Sequence, residues 1–371
     1  MASLALVMGR APQRGVLPLS AGIPATVLRP VPTRHHCSGG ASATEGRGGV
    51  SLAAAAVPAT AALIARRHRA DQRRGLPRRH DTMVAATAGV TANVEKEELR
   101  KVVEVAEAAA RAAGKVMAEK VGAEVVEVKG FAADLLTAVD TECEEVVRQT
   151  VQNAFPSHAF LGEESFGSLE DMATLIAAPG WLWVVDPIDG TTNFVSGQPM
   201  SAVSIGVAHD GKLCVGVIYD PYRDELFSAS LGGGASLNGS PIAVSADRAR
   251  ELREAVVASG APPNPRSSAP CFRAMSLLSP PRSRTVRILG SAAINFAWVA
   301  CGRLDAWFEP DLSPWDSAAG ALLVREAGGR VTDCEGNEYV LGTRPICSSN
   351  GKIHDELLAV LREADATQLD D

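Results

Sequence analysis

Residues Trp181 to Phe194 read WLWVVDPIDGTTNF, an apolar run that stops abruptly at two aspartates, a glycine and two hydroxyls. Trp181-Leu182-Trp183-Val184-Val185 has the length and the β-branched, aromatic make-up of a buried strand. Pro187 has no donor for a sheet ladder and biases Asp186 towards an extended conformation. The strand is therefore expected to close at Asp186, with Ile188-Asp189-Gly190 beginning a turn. Two carboxylates three residues apart around a turn leave one rigid support together and can face a single point. Ends of strands are where α/β folds place ligands. Like charges that close repel unless something positive lies between them, and a hard cation such as Mg²⁺ prefers oxygen ligands. If Thr191 starts a helix, Gly190 and the amides after it are placed to receive an anion. Taken alone, D-P-x-D-G is equally well a surface turn, because Asp, Pro and Gly are common in turns.

The remainder of the chain bears on that choice. Its 371 residues suffice for one large or two ordinary domains with a substantial core. Residues 1–80 hold twelve arginines, no lysine and two acids, a net +10, so the remainder carries −17. An acidic body argues against nucleic acid as its main partner. Seven scattered cysteines without a C-x-x-C pair read as reduced thiols rather than a disulfide framework or a zinc site. Residues 1–82 are rich in Ala, Arg, Pro, Ser and Gly, the composition of an organellar targeting region. The apolar stretch Ser51 to Ala65 is short for a membrane span and contains Pro58. A disordered basic region addressed to a plastid is expected, with a mitochondrion or the cytoplasm as alternatives and no stable span in the folded body.

From Glu95 to Val121 the apolar residues fall at helical spacing. Lys129 and Asp134 lie in the next stretch, which leads to Asp140. A helix is expected from about Thr141 to Ala154, with Thr141 as its cap, Glu144 three residues on, and Asp140 just outside it. His158-Ala159-Phe160-Leu161 reads as a short strand ending in Gly162-Glu163-Glu164-Ser165, a second strand closed by acids. An antiparallel meander is expected from Ser201 to Ser230. Gly232-Gly233-Gly234 lacks the Lys and following helix of a phosphate-binding P-loop and is expected to be a tight turn. Residues 262–281, rich in Pro, Ser and Arg, read as a variable loop or a connection between lobes. Val286 to Leu289 and Leu304 to Phe308 are expected strands. Gly290-Ser291-Ala292 opens one helix, and Ser317 to Ala327 forms another, with Asp316 at its start and Gly328-Gly329 as its stop.

In this order Gly162-Glu163-Glu164-Ser165, then Asp186 through Phe194, then Trp315-Asp316-Ser317-Ala318-Ala319-Gly320 and Glu326-Ala327-Gly328-Gly329 resemble the signatures of the inositol monophosphatase family, Mg²⁺-dependent and lithium-sensitive sugar phosphatases. The resemblance spans roughly Glu95 to Leu361. It implies an α/β fold, a layered α/β/α/β/α sandwich of two lobes. These are an N-terminal α+β lobe over 94–248 with most metal ligands, and a C-terminal α/β lobe over 249–365 with the substrate and one metal ligand. A homodimer is also implied.

By the same resemblance, Glu163, Asp186 and the carbonyl of Ile188 hold a first metal, and Asp186, Asp189 and Asp316 a second; a third, weaker ion sits by Glu163 through waters. Thr191 orients the attacking water together with Glu163, Asp140 hydrogen-bonds Thr191, and Lys129 lies near the metal waters. The amides of Gly190 and Thr191 hold the phosphate, and Gly290, Ser291, Ala292 and Glu309 the alcohol. The implied reaction is hydrolysis of myo-inositol 1-phosphate. Galactose 1-phosphate, histidinol phosphate and fructose 1,6-bisphosphate are alternative substrates of the same chemistry, and a non-catalytic scaffold is the alternative from another class.

Overall fold

The computed structural model describes residues 96–129, 135–262 and 264–367; the basic region 1–82, with its targeting expectation and Cys37, lies outside them. Helix α1 (Lys96–Glu119) is followed by the antiparallel pair β1 (Val125–Val128) and β2 (Leu135–Thr137), helix α2 (Ala138–Ala154) and strand β3 (Ala159–Gly162). Next come α3 (Leu169–Ala177), β4 (Trp181–Asp189) and the short α4 (Thr191–Val195). The expected meander follows as β5 (Ala202–His209), β6 (Lys212–Asp220), β7 (Glu225–Ser230), β8 (Gly234–Leu237) and β9 (Ser240–Pro241). Strands β3 to β9 form a seven-stranded sheet in chain order, parallel between β3 and β4 and antiparallel beyond.

The second half supplies β10 (Val256–Ser259), α5 (Pro265–Leu278), β11 (Thr285–Arg287), α6 (Ala292–Ala300) and β12 (Ala306–Glu309). It ends with α7 (Pro314–Glu326), β13 (Arg330–Thr332), β14 (Ile346–Ser349) and α8 (His354–Glu363). Its five strands lie in the order β11-β10-β12-β14-β13.

Alternation along the strands sorts the apolar side chains into three cores. Trp183 and Val185 of β4 join Ile205, Val207 and Val215 in packing against Val102, Ala106 and Ala113 of α1 and Val147 of α2. Leu182 and Val184, one residue out of phase, face the other way, towards Phe296 of α6 and Ala318, Ala319 and Leu322 of α7. The same two helices bury Trp307 of the second sheet. That sheet's far face, with Val257, Phe308 and Cys347, packs on Cys271 and Leu278 of α5 and Leu357 and Leu361 of α8. The result is the expected α/β/α/β/α layering. Each fully buried Val, Leu, Ile or Phe is worth roughly 1.5–3 kcal/mol.

Two glycines set the depth at which α7 lies. Gly206 and Gly216 are partners in the β5–β6 ladder. A Cβ on Gly206 would come within 2.4 Å of the Ala318 Cβ, and one on Gly216 within 2.3 Å of the Ala319 carbonyl oxygen. The backbone of α7 therefore rests directly on bare sheet. The glycine-rich turn between β7 and β8 is a tight connection as expected, and its amides are engaged internally: Gly232 and Gly234 each donate to the Glu326 carboxylate at 2.9 Å.

Three local expectations are corrected. Strand β4 does not end at Asp186 but runs to Asp189, with an irregularity in which Asp186 pairs Ser204 and Asp189 pairs Ala202. Pro187, without a donor, is accommodated as a bulge instead of terminating the strand. Helix α2 starts at Ala138, not near Thr141: Thr137 is its cap, and Asp140, at the third helical position, returns the bond as a capping box. Most of the stretch expected to be a loop is helix α5, with Asn264 accepting from the Arg266 amide at 3.1 Å and Pro265 in the first turn. Its buried Cys271, Ala274, Met275 and Leu278 form an apolar stripe at helical spacing, which outweighs the internal Pro270.

Among the described residues no helix is long and apolar enough to cross a membrane. The described cysteines are all free thiols.

Candidate active site

The bulge in β4 decides where its acids point. In a regular strand, residues three apart face opposite sides of the sheet. One extra residue between Asp186 and Asp189 restores the phase, so both project towards α7, on the side of Leu182 and Val184. Strand β3 lies parallel to β4, and the Glu163 amide donates to the Val185 carbonyl at 3.1 Å, which brings Glu163, just past the end of β3, beside Asp186 at the bulge of β4. Helix α7, seated on the bare glycines, supplies Asp316 from its first turn. Asp186, Asp189 and Asp316 each place one oxygen within 4.8 Å of the others. Glu163 is not part of that threefold set, but it lies close enough for its charge to act on Asp186.

The electrostatics of this cluster call for a cation. Burial, and then repulsion from Glu163, Asp189 and Asp316, raises Asp186 well above the ordinary carboxylate range. Burial likewise raises Asp316, reinforced by Asp189 and Glu163. Burial raises Asp189 too, against the hydrogen bonds that it accepts from Ser291, Ala293 and Ala292. The protein's own counter-charge is Lys129, whose Nζ donates to Glu163 at 3.1 Å and to Glu164 at 2.9 Å. Burial lowers the Lys129 pKa, and the two glutamates more than reverse that, leaving it raised. Glu164 is nevertheless pushed up to about 7, by burial and then by Glu163. A group of hard oxygen donors too crowded to ionise together fits a divalent metal.

Each acid also has a structural bond that fixes its direction. Asp189 accepts from the Ser291 hydroxyl, from the Ala293 amide at 2.9 Å and from the Ala292 amide at 3.2 Å, and so caps α6 across the two sheets. Ser291 and Ala292, expected at the alcohol, are thus tied to the acidic cluster. Asp316 accepts from the Ser313 amide at 2.6 Å. Asp186 accepts from the Ile188 amide at 3.0 Å, which closes the bulge.

Thr191 stands next to this cluster at the first position of α4. Its hydroxyl lies 3.0 Å from the Ile188 carbonyl and 3.3 Å from Asp140 Oδ1. Asp140 is both a helix residue and Thr191's partner, because its other oxygen accepts from the Thr137 amide at 2.9 Å and hydroxyl at 2.5 Å. Gly190 caps α4 with φ of +88°, a left-handed conformation that favours glycine, and it has no side chain to take the amides of that turn.

Glu309 ends β12 with only 8% of its surface exposed. Burial raises its pKa strongly, reinforced by Asp316, Asp189 and Asp311. Gly260, just beyond β10, lies against it: a Cβ there would meet the Glu309 carboxylate at 1.9 Å. Gly290 holds φ of +75° directly before Ser291.

Several supports went unnoticed in the sequence. Glu144, expected as the capping partner of Thr141, instead accepts from the Glu164 amide at 2.8 Å and is held by Arg148 at 2.8 Å, so it props the Glu163-Glu164 turn from α2. Its i,i+4 spacing from Arg148 reads as an ordinary helix-surface pair. Ser204 donates to the Trp315 carbonyl at 3.1 Å, and nothing local to Ser204 signals that partner.

The chain matches the model of the inositol monophosphatase family over residues 98–366. It is similar to inositol monophosphatase 3 of Solanum lycopersicum, 42% identical over 265 residues that make up 70% of this chain and 96% of that one. It is also similar to the Nus factor SuhB of Salmonella typhimurium, 40% identical over 261 residues, 69% and 93% of the two chains. Among solved structures, the IMPase of Thermotoga maritima superposes with a TM-score of 0.63 at 32% identity, covering 71% of this chain and 97% of that one. From its ordered acids to its layered sheets, the chain belongs to the inositol monophosphatase family.

Proposed function

We propose that this protein is a metal-dependent phosphomonoesterase that hydrolyses myo-inositol 1-phosphate to myo-inositol and phosphate. The observation that carries this reading is the convergence of Asp186, Asp189 and Asp316 on one point in a chain of this family. Donors that are all oxygens, most of them carboxylates, favour Mg²⁺. Asp186, Asp189 and Asp316 would hold one ion, and Glu163, Asp186 and the Ile188 carbonyl another. Metal held by these residues would supply neutralisation of the phosphoryl oxygens and a water of lowered pKa.

The chain's own groups then align the reactants. Thr191 has one hydroxyl proton and two acceptors in reach. Donating to Asp140 leaves its lone pairs to receive and orient a water, with Glu163 as that water's second acceptor. Burial raises the Glu163 pKa, Lys129 works against that rise, and its hydrogen bond directs the carboxylate inward. The Gly190 and Thr191 amides would receive the phosphate, and Glu309, with the turn Gly290-Ser291-Ala292, would meet the hydroxyls of the alcohol. A protonated Glu309 can donate to a hydroxyl as well as accept from one.

The test is phosphate release from about ten sugar and cyclitol phosphates with Mg²⁺, with a chelator, and with Li⁺ added. Fastest release from inositol 1-phosphate, abolished by the chelator, is expected; preference for galactose 1-phosphate, histidinol phosphate or fructose 1,6-bisphosphate would move the assignment within the same chemistry. The second reading is a non-catalytic scaffold relative, which similarity to a Nus factor supports only in part. No release from any ester would support it. A homodimer belongs to the proposal, and light scattering at the mass of one subunit would remove it. Delivery to a plastid rests on the composition of residues 1–82 and is tested by imaging a fluorescent fusion.

A further inference from the structure

We infer that Asn193 is a positioning residue that joins the turn of Gly190 and Thr191 to the turn of Gly290 and Ser291, so that one carboxamide sets the spacing between phosphate and alcohol. The inference rests on the phosphatase reading only for the identity of those two groups.

Asn193 is the third residue of α4 and is buried, with 9% of its surface exposed. Its Nδ2 donates to the Met200 carbonyl at 2.8 Å and to the Leu289 carbonyl at 2.8 Å, with the Gly290 carbonyl at 3.3 Å. A carboxamide has two N–H groups, so both are committed to backbone. One acceptor lies seven residues away on the loop before β5, and the other 96 residues away in the second half of the chain. The main-chain carbonyl of Asn193 separately accepts from the Gln198 amide at 2.8 Å.

The two turns approach each other closely. A Cβ on Gly190 would lie 2.9 Å from the Gly290 carbonyl, 3.1 Å from the Met200 carbonyl and 3.2 Å from the Ser291 Cβ. A Cβ on Gly290 would lie 2.8 Å from the Asn193 amide nitrogen. Three carbonyls thus point into one crowded space, and Asn193 supplies protons there. Removing it leaves those acceptors unpartnered and takes away the bond that fixes one turn relative to the other. Asp189 makes a separate connection between the same segments through Ser291, Ala292 and Ala293, but only Asn193 reaches Leu289 and Gly290, ahead of the helix. Misplacement of reacting groups by about 1 Å can cost about 10²-fold in rate.

Asn193→Ala should lower kcat/KM for inositol 1-phosphate about tenfold further than for 2-glycerophosphate, an acyclic ester with little for the alcohol turn to hold. Asn193→Ser, which keeps one donor, should fall between Asn193→Ala and the unaltered protein. Equal losses on both esters, or no loss, would overturn the inference. Hydrogen exchange judges the coupling without any turnover: the amides of 196–200 and of 290–293 should both exchange faster in Asn193→Ala, and unchanged protection in either segment would overturn it. Should Asn193→Ala fail to fold, Gly290→Ala presses on the same carboxamide from the opposite turn and should reproduce the selective loss and the faster exchange at 196–200. An unaltered protein that releases phosphate from neither ester sinks the phosphatase reading, while the exchange data still decide the clamp.

Discussion

The Asp189 carboxylate caps the helix that begins at Ala292, accepting the Ala293 amide at 2.9 Å while one of its oxygens stays within 4.8 Å of Asp186 and Asp316. One side chain therefore links the acidic cluster proposed to hold the metal to the segment proposed to hold the alcohol. Asp189→Ala should reduce kcat with Mg²⁺ by on the order of 10²–10³, the scale of losing one preorganised electrostatic contact. It should also cost about 1 kcal/mol of stability from the lost cap. Steady-state kinetics and denaturant melts of the variant check both, and near-normal turnover would refute the ligand assignment.

Lys129 is expected to matter most when no divalent ion is bound. Its bonds to Glu163 and Glu164 are partly buried, and losing it leaves two close carboxylates without their counter-charge. Lys129→Met should lower stability by about 1–3 kcal/mol in chelator. Saturating Mg²⁺ should recover much of that loss, since ligand binding to the folded state stabilises it. Thermal melts at two metal levels read this out, and a deficit of the same size at both would show that Lys129 has no link to the cation site.

The depth of α7 is set by Gly216, where any Cβ would strike the Ala319 carbonyl oxygen. That neighbour is backbone and cannot swing aside. Gly216→Ala should destabilise the fold by roughly 1–3 kcal/mol through overpacking, and the outward shift of α7 should weaken Mg²⁺ activation by displacing Asp316. Calorimetric melts and a metal titration test it; a variant as stable and as metal-responsive as the parent would show that α7 is not seated on the sheet in this way.

Gly260 presents the opposite case, because the atoms a Cβ would meet are the flexible end of Glu309. Gly260→Ala should turn that carboxylate away at little cost in stability, and Glu309→Gln should remove its charge in place. Both should change relative rates across inositol 1-phosphate, galactose 1-phosphate and 2-glycerophosphate more than they change the rate on the poorest of these. Identical ratios in all three proteins would detach Glu309 from the alcohol.

His354 supplies a pH dependence far from the metal. Its Nδ1 faces the Ser349 hydroxyl and its Nε2 the Thr332 hydroxyl, each at 2.8 Å. Thr332 already donates to the Asp333 carbonyl, so Nε2 carries the proton and Nδ1 accepts. Burial, then Arg330, lowers the His354 pKa from 6.5 to about 4. Between those values the unfolded chain binds a proton that the folded chain does not, so stability is intact above about 6.5 and falls as pH drops towards 4, by up to roughly 3 kcal/mol. Carboxylates raised by burial contribute with the opposite sign, so the comparison is between the parent and His354→Gln. The variant should show a flatter loss over this window, and parallel curves would rule out the histidine.

Much of the fold was readable in local pattern. The apolar run before Asp186, the meander, the stripe along α1 and the acid at the start of α7 each lie within a window in which period and turn chemistry act, and their order carries the family. Where two signals competed locally, sequence reasoning erred: Pro187 argued for a strand end and Pro270 for a loop, while pairing to β5 and burial of Cys271, Ala274, Met275 and Leu278 prevailed. Asp140 illustrates a middle case, since Thr137 and Thr191 compete for the same short stretch and only their distances show that it serves both.

By itself the sequence determined which residues could ionise, which segments had to be buried, and that two acids would leave one strand. Tertiary structure alone decided that those acids point the same way, because the phase of a bulge is set by the neighbouring strand. It also brought Asp316 within reach through glycines on β5 and β6 that lie about a hundred residues away. Convergence of like charges is opposed by local electrostatics and arises only because packing of α7 and hydrogen bonds from Ser291, Ala292 and Ala293 hold the carboxylates in place.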